Sequence, residues 1–286
     1  MVQLILWTIP LGGALAVSAW RLEGMGFISE TFLHVTWIVI ALVFIYQIVK
    51  IVQVNVPILK EGVPEDDKYK FKNVAALNST YFANFGAELA IISMLPMFFQ
   101  LTFSLTPATA GIIASSFAFI NLIARPLGGV LSDRMGSRRN IMLIYMIGIS
   151  LGLVGMGFID SSWPLFLAVA VVVLTSVFIQ GAEGATFAVI PMIKKRITGQ
   201  IAGMSGAYGN VGATIYLTLY TFVSPQQFFF VLAGGAFISF LICFFMLEEP
   251  KNSFADEYYE SSTDQVQATE EQPKEVTGQE KVRKAL

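Results

Sequence analysis

Charge is scarce in this chain: Asp, Glu, Lys and Arg make up 13% of its 286 residues, and there is one cysteine and one histidine. A soluble domain is about a quarter charged, so a water-facing globular surface is excluded. Cys243 has no partner for an internal disulfide, and His34 has no second histidine with which to build a metal site. We read Cys243 as a small core hydrophobe and His34 as an interfacial or packing residue. A basic leader is also missing. MVQLILW runs apolar to Ala19 without a convincing cleavage site, unlike a secretory signal peptide, and it reads as a start inside a helix already under way. No Walker loop, metal cluster or nucleophile–base pair is visible. Neither an enzyme nor a cofactor is expected, and no nucleic-acid partner.

What the chain has instead is apolar length: 55% hydrophobic residues and a mean hydropathy of +0.66. A spanning helix needs about 20 mostly apolar residues. Windows of that kind run from Gln3 to Trp20, Phe32 to Val54, Val74 to Phe103, Ala108 to Leu131, Asn140 to Phe158, Trp163 to Met192, Gly199 to Phe222 and Phe228 to Leu247. They predict an all-α, polytopic membrane helical bundle of about eight transmembrane helices, with the lipid bilayer as its solvent. Sixteen of the 18 Lys and Arg residues lie on one side, in alternate connections, in the tail and, for Lys50, at the adjoining end of its span, Arg21 being alone on the other side. The positive-inside rule then makes those connections and the C-terminus cytoplasmic. Composition divides the chain into two membrane helices (1–56), a charged cytoplasmic linker loop (57–73), a six-helix bundle (74–248) and a polar tail (249–286). The tail is poor in apolar residues and is expected to be disordered, with Ser261, Ser262 and Thr263 as positions where regulation could act.

Arg125 stands in a stretch without another charge from Thr106 to Leu131. A charge at membrane depth costs a few kcal/mol or more, so it is rarely without a partner or a task. Snorkelling is the bland alternative, since Ser132 lies roughly 10 Å further along the helix at 1.5 Å per residue. Asn121, one turn earlier on the same face, offers a polar partner inside the bundle. A guanidinium fork matches two oxygens of a small planar anion better than an ammonium does. Tyr81, Phe85 and Glu88 follow at i, i+4 and i+7, so one helix face carries two aromatics and a carboxylate. Gly203, Gly206, Gly209 and Gly212 recur at spacing three and predict a nearly flat stripe for close helix packing, from which Asn210 can donate to an anion. Glu88 and Glu183 are the intramembrane acids. Glu88 is the candidate for coupling to protons, with a structural pair to Arg125 or to an asparagine as its alternative role.

Straight after Arg125 comes Gly128-Gly129-Val130-Leu131-Ser132-Asp133-Arg134-Met135-Gly136-Ser137-Arg138-Arg139. Its glycines permit close approach of two helix ends. Asp133, Arg134, Arg138 and Arg139 can form a charge network that latches them. This loop resembles the signature loop of the major facilitator superfamily. Tyr81 to Leu89, Ala124-Arg125-Pro126, Gly184 to Phe187 with Pro191, and Gly203 to Gly212 with its Gly-Asn-Val-Gly stretch are together similar to the nitrate/nitrite porter family within it. The resemblance implies that these are helices five to twelve of such a porter, in a plasma (bacterial inner) membrane. It implies nitrate or nitrite as cargo, carried by alternating access as symporter or antiporter. Arg125 would contact the anion, Tyr81 and Phe85 would wall it, and Phe187 would line the pocket from the other side, with Gly206, Gly209 and Asn210 in the glycine-rich signature. It also implies a fragment, lacking an N-terminal half that transport requires. Two rival readings stand beside it: a transporter of another small anion, and a non-transporting half-protein that senses anion or is inactive.

Overall fold

The computed structural model describes residues 2–63 and 67–249. Among these, α-helices follow one another as α1 (Val2–Gly24), α2 (Glu30–Glu61), α3 (Phe71–Phe103), α4 (Pro107–Phe119), α5 (Asn121–Arg134), α6 (Arg138–Gly157), α7 (Leu165–Ile193), α8 (Thr198–Tyr220) and α9 (Pro225–Met246). The fold is the all-helical membrane bundle that hydropathy predicts. Among the described residues, six helical units, with α4 and α5 taken together, are long and apolar enough to cross a membrane. Hydroxyl side chains set several of the starts. Ser29, Thr106, Ser137 and Ser224 each accept from a backbone N–H in the first turn, and Ser224 forms a full capping box with Gln227.

Three expectations are corrected. The span from Ala108 to Leu131 is two helices, α4 and α5, that meet at Ile120. The cause lies in α7: Ser176 Oγ and Gln180 Nε2 donate to the Phe117 carbonyl at 2.7 and 2.8 Å. Side chains that enter the backbone ladder in this way kink a helix, and Pro126 removes a further donor just beyond. The linker is shorter than 57–73, because α2 runs on to Glu61 and α3 begins at Phe71. Glu249 is no tail residue; it is bound to the start of α6, as described below. The rest of the tail, with Ser261, Ser262 and Thr263, lies outside the described residues.

α3 is the central post, buried along most of its length against α4, α7, α8 and α9. Phe98, Phe99 and Phe229 fill the core at one end of it, with Phe98 and Phe229 rings edge to face at 5.3 Å. Cys243 is buried in the same core and His34 is exposed beside Trp37. α1 lies against α2 and α8, and Arg21 donates to the Thr221 carbonyl at 2.7 Å, a cation at the C-terminal end of α8.

Glycines decide how close α5 and α7 come. A Cβ on Gly128 would overlap the Gly181 carbonyl, and one on Gly184 would overlap the carbonyl of Arg125 itself. The predicted flat stripe on α8 is split in two. Gly209 and Gly212 pack on α3, whereas a Cβ on Gly203 or Gly206 would meet open space. At 3.6 residues per turn, a spacing of three drifts by about 60° at each step, so four such glycines cannot share one face.

At the end of the bundle that carries the α5–α6 loop, two acids staple three helices. Glu249 accepts from the backbone N–H groups of Arg138 and Arg139 at 2.8 and 2.9 Å and from Ser137 Oγ at 2.8 Å, which places a carboxylate on the positive end of α6. Glu248 accepts from Lys70 and Lys72 at 2.8 and 2.5 Å, and its backbone N–H donates to Asn73 Oδ1 at the start of α3. The lysine hydrogen bonds hold the Glu248 carboxyl down at about 2. A depressed carboxylate stabilises the fold above its unfolded pKa of about 4.3 and loses that contribution as pH falls toward 2. A carboxyl NMR titration of Glu248 is therefore expected to show a midpoint near 2 rather than 4. Glu249→Ala is expected to cost about 1–2 kcal/mol as a lost charged cap, read as a lower unfolding midpoint in detergent. By the same measurement Gly184→Val costs about 3 kcal/mol, because the overlap is with backbone, while Gly203→Ala stays within about 1 kcal/mol of wild type on the stabilising side.

Candidate functional site

The α5–α7 crossing carries Arg125 into the bundle, and α3 supplies the opposite wall. Tyr81 and Phe85, one turn apart on α3, stack with ring centroids 5.0 Å apart and planes 10° from parallel. Phe187 of α7 stands edge-on to Tyr81 at 5.1 Å. Gly209 of α8 makes the shelf possible, since a Cβ there would lie 2.7 Å from both Phe85 Cδ1 and Tyr81 Cδ1. The guanidinium carbon of Arg125 sits 6.0 Å from the Phe85 centroid, within cation–π reach, and Arg125 Nη2 donates to the Tyr81 hydroxyl at 3.5 Å.

Two carboxylates close the other side of the cation. Arg125 Nη2 is ion-paired and hydrogen-bonded to Glu183 Oε2, and Glu88 Oε2 lies 3.7 Å from the same nitrogen. The side chain of Arg125 is 36% exposed, while that of Glu183 is 0% and that of Glu88 4% exposed. The cation thus has one open flank and a buried, acidic one. Asn121 does not serve Arg125, as its position suggested; its Nδ2 donates to Glu88 Oε1 at 2.6 Å. Gln180 Nε2 adds a longer contact to the same oxygen at 3.4 Å.

The structure therefore brings Arg125, Tyr81, Phe85, Phe187, Glu88 and Gly209 together, and adds Glu183, Asn121 and Gln180. Glu183 was visible as an intramembrane acid, but nothing in its spacing ranks it above Glu88 as the nearer partner. Gln180 carries no sequence signal beyond being polar in an apolar run. Asn210 and Gly206 stand outside the hydrogen-bonded cluster. Asn210 is exposed, and its amide donates back to the Gly206 carbonyl at 3.0 Å.

The charged loop after α5 turns at Gly136, whose φ of 70° is the left-handed region that favours glycine. Arg138 Nη2 donates to Asp133 at 2.8 Å across that turn. Arg139 reaches α9, donating to the Phe244 carbonyl at 2.6 Å with its guanidinium carbon 5.4 Å from the Phe244 centroid. Arg134 is exposed and takes no part in these contacts among the described residues. The network expected of Asp133, Arg134, Arg138 and Arg139 is thus three of those four residues plus Glu249.

The site is thus one guanidinium beside an aromatic pair, backed by two acids inside a helical bundle. The family model of the Major Facilitator Superfamily matches residues 77–276. The chain is 42% identical over 279 residues to the nitrate/nitrite transporter NrtP of Picosynechococcus sp., an alignment covering 91% of this chain and 52% of that protein. It is 44% identical over 249 residues to the NrtP of Nostoc punctiforme, covering 86% of this chain and 50% of that protein. High-affinity nitrate transporter 2.3 of Oryza sativa subsp. japonica is 41% identical over 156 residues, which is 52% of this chain and 29% of that one. The chain spans about half the length of the NrtP relatives it matches. It is similar to nitrate/nitrite porters, and it belongs to the Major Facilitator Superfamily.

Proposed function

We propose that this chain is the anion-clamping part of a nitrate/nitrite porter that works by alternating access. The observation that carries the reading is Arg125, a fixed cation with an open flank, set against the Tyr81–Phe85 stack. A planar, weakly hydrated anion is well matched to this. Two of its oxygens meet the guanidinium fork, and its face lies along an aromatic wall that excludes water. Phe187 bounds the same space from α7. The names of the NrtP relatives support nitrate and nitrite as the cargo.

Transport needs a second set of helices to rock against this one around a midplane site. The chain's span of about half its relatives supports the view that those helices belong to the complete gene product. The open face of α8, with Gly203, Gly206 and Asn210, is where the second set would slide, and Asn210 would turn from Gly206 to the anion there. Asp133, Arg138 and Arg139 tie the α5–α6 loop to its surroundings and would hold one of the two states. The charge asymmetry of the connections supports a cytoplasmic side for this loop and the C-terminus, and the resemblance to the porters supports a plasma membrane. Movement of protons with the anion would fall to the acids beside Arg125.

Arg125→Lys in the complete gene product is the test. Charge is kept and the fork is lost, so nitrate uptake into proteoliposomes is expected to fall at least about tenfold. Uptake at the wild-type rate would remove Arg125 as the anion clamp.

A further inference from the structure

One cation and two buried carboxylates share this site: Arg125, Glu88 and Glu183, a net charge of −1. An anion entering unaided would take that charge to −2 where solvation is poor. An anion entering with a proton leaves it at −1. The two acids are not equivalent hosts for that proton. Glu88 is held as an acceptor: its Oε1 faces amide N–H donors of Asn121 and Gln180, which can only donate. Glu183 has one oxygen on Arg125, and the other, Oε1, is buried with no hydrogen-bond donor among the described residues. Gln180 Oε1, one helical turn earlier on α7, is likewise a buried acceptor without a donor. A proton on Glu183 is the donor this corner lacks.

The rest of the surroundings offers no competing host. From α3 the ionisable groups near Glu183 are Tyr81 and Glu88, from α5 Arg125, and from α6 Tyr145, whose ring packs on Gly181. α4 has no ionisable residue, and α8 has none except tyrosines.

We propose that Glu183 is the proton-exchanging gate of the anion site: its carboxylate pairs with Arg125 Nη2 when no anion is present and releases that nitrogen when it takes a proton. The cation and the anion's oxygens then meet in its place. The step forms one O–H bond on Glu183 with a proton from water and breaks one ion pair; no electrons move. When the anion departs, the proton returns to water on the side to which the site is open. Glu88 takes no proton in this cycle, because its Oε1 is held as an acceptor by Asn121 and Gln180. The proposal rests on the anion reading of Arg125, and it fits any planar monovalent oxyanion.

The experiment uses the complete gene product in proteoliposomes, with nitrate as the probe. It follows exchange of labelled nitrate and lumenal pH under a nitrate gradient. Wild type is expected to carry about one proton per nitrate, with an apparent affinity that weakens by up to about tenfold per pH unit on the alkaline side. Glu183→Gln is expected to bind nitrate about tenfold more tightly than wild type at about pH 8, to lose the pH dependence and to exchange nitrate without moving protons. Glu88→Gln is expected to change affinity while still moving about one proton per nitrate. Proton movement retained in Glu183→Gln overturns the proposal, as does its loss in Glu88→Gln alone. If Glu183→Gln does not fold, the wild-type pH profile and Glu88→Gln decide: a flat profile overturns the proposal, and a sloping profile with coupling retained in Glu88→Gln supports it. Wild type that moves protons by no route but still exchanges nitrate refutes the gate alone. Wild type that exchanges no nitrate refutes the anion reading, and the gate with it.

Discussion

Backbone meeting backbone at the crossing of α5 and α7 is the constraint on which the site depends. Gly184 lies on the carbonyl of Arg125, and Gly128 lies on that of Gly181. No side chain separates the two helices there, so the guanidinium of one reaches a carboxylate on the other without leaving the bundle. Small residues serve this purpose in membranes, where lipid is as apolar as any side chain and close packing must supply the attraction. The same crossing lets α7 capture the Phe117 carbonyl with Ser176 and Gln180, so the kink between α4 and α5 and the position of Arg125 have a common origin.

Around this crossing, charge is arranged with little slack. Arg125 has an acidic, buried flank and an open one, and an aromatic shelf sits beside both. A lone buried cation would be costly, and a fully neutralised one would have nothing left for a ligand. Two carboxylates on one guanidinium, with one of them held by amide donors, lie between those extremes. At the far end of the same helices, Glu248 and Glu249 act on a different principle. Their partners are lysines and backbone N–H groups near water, so they tie α9 to α3 and α6 away from Arg125.

Helix content and the approximate spans were legible because each rests on local composition, namely apolar length. Arg125 was legible for the same reason, as one charge in an uncharged stretch. Tyr81, Phe85 and Glu88 were legible as one face of one helix, which periodicity alone predicts. Periodicity misled in the glycine run of α8, where a spacing of three turns steadily around the helix and sends Gly203 and Gly206 to a different face from Gly209 and Gly212. Composition misled at Glu249, which reads as the start of a polar tail yet caps α6.

By itself, then, the sequence determined that this is a helical membrane bundle of the major facilitator type with a single cation at membrane depth, because hydropathy and charge scarcity are properties of each segment alone. Only the tertiary structure decided which groups that cation meets. Glu183 comes from 58 residues away, Glu88 holds Asn121 in place of Arg125 holding it, and Gly209 seats the aromatic pair from a third helix. Those choices depend on how closely helices cross, and that distance is set by side chains that are absent at glycines facing each other, a pairing that exists only once the chain has folded.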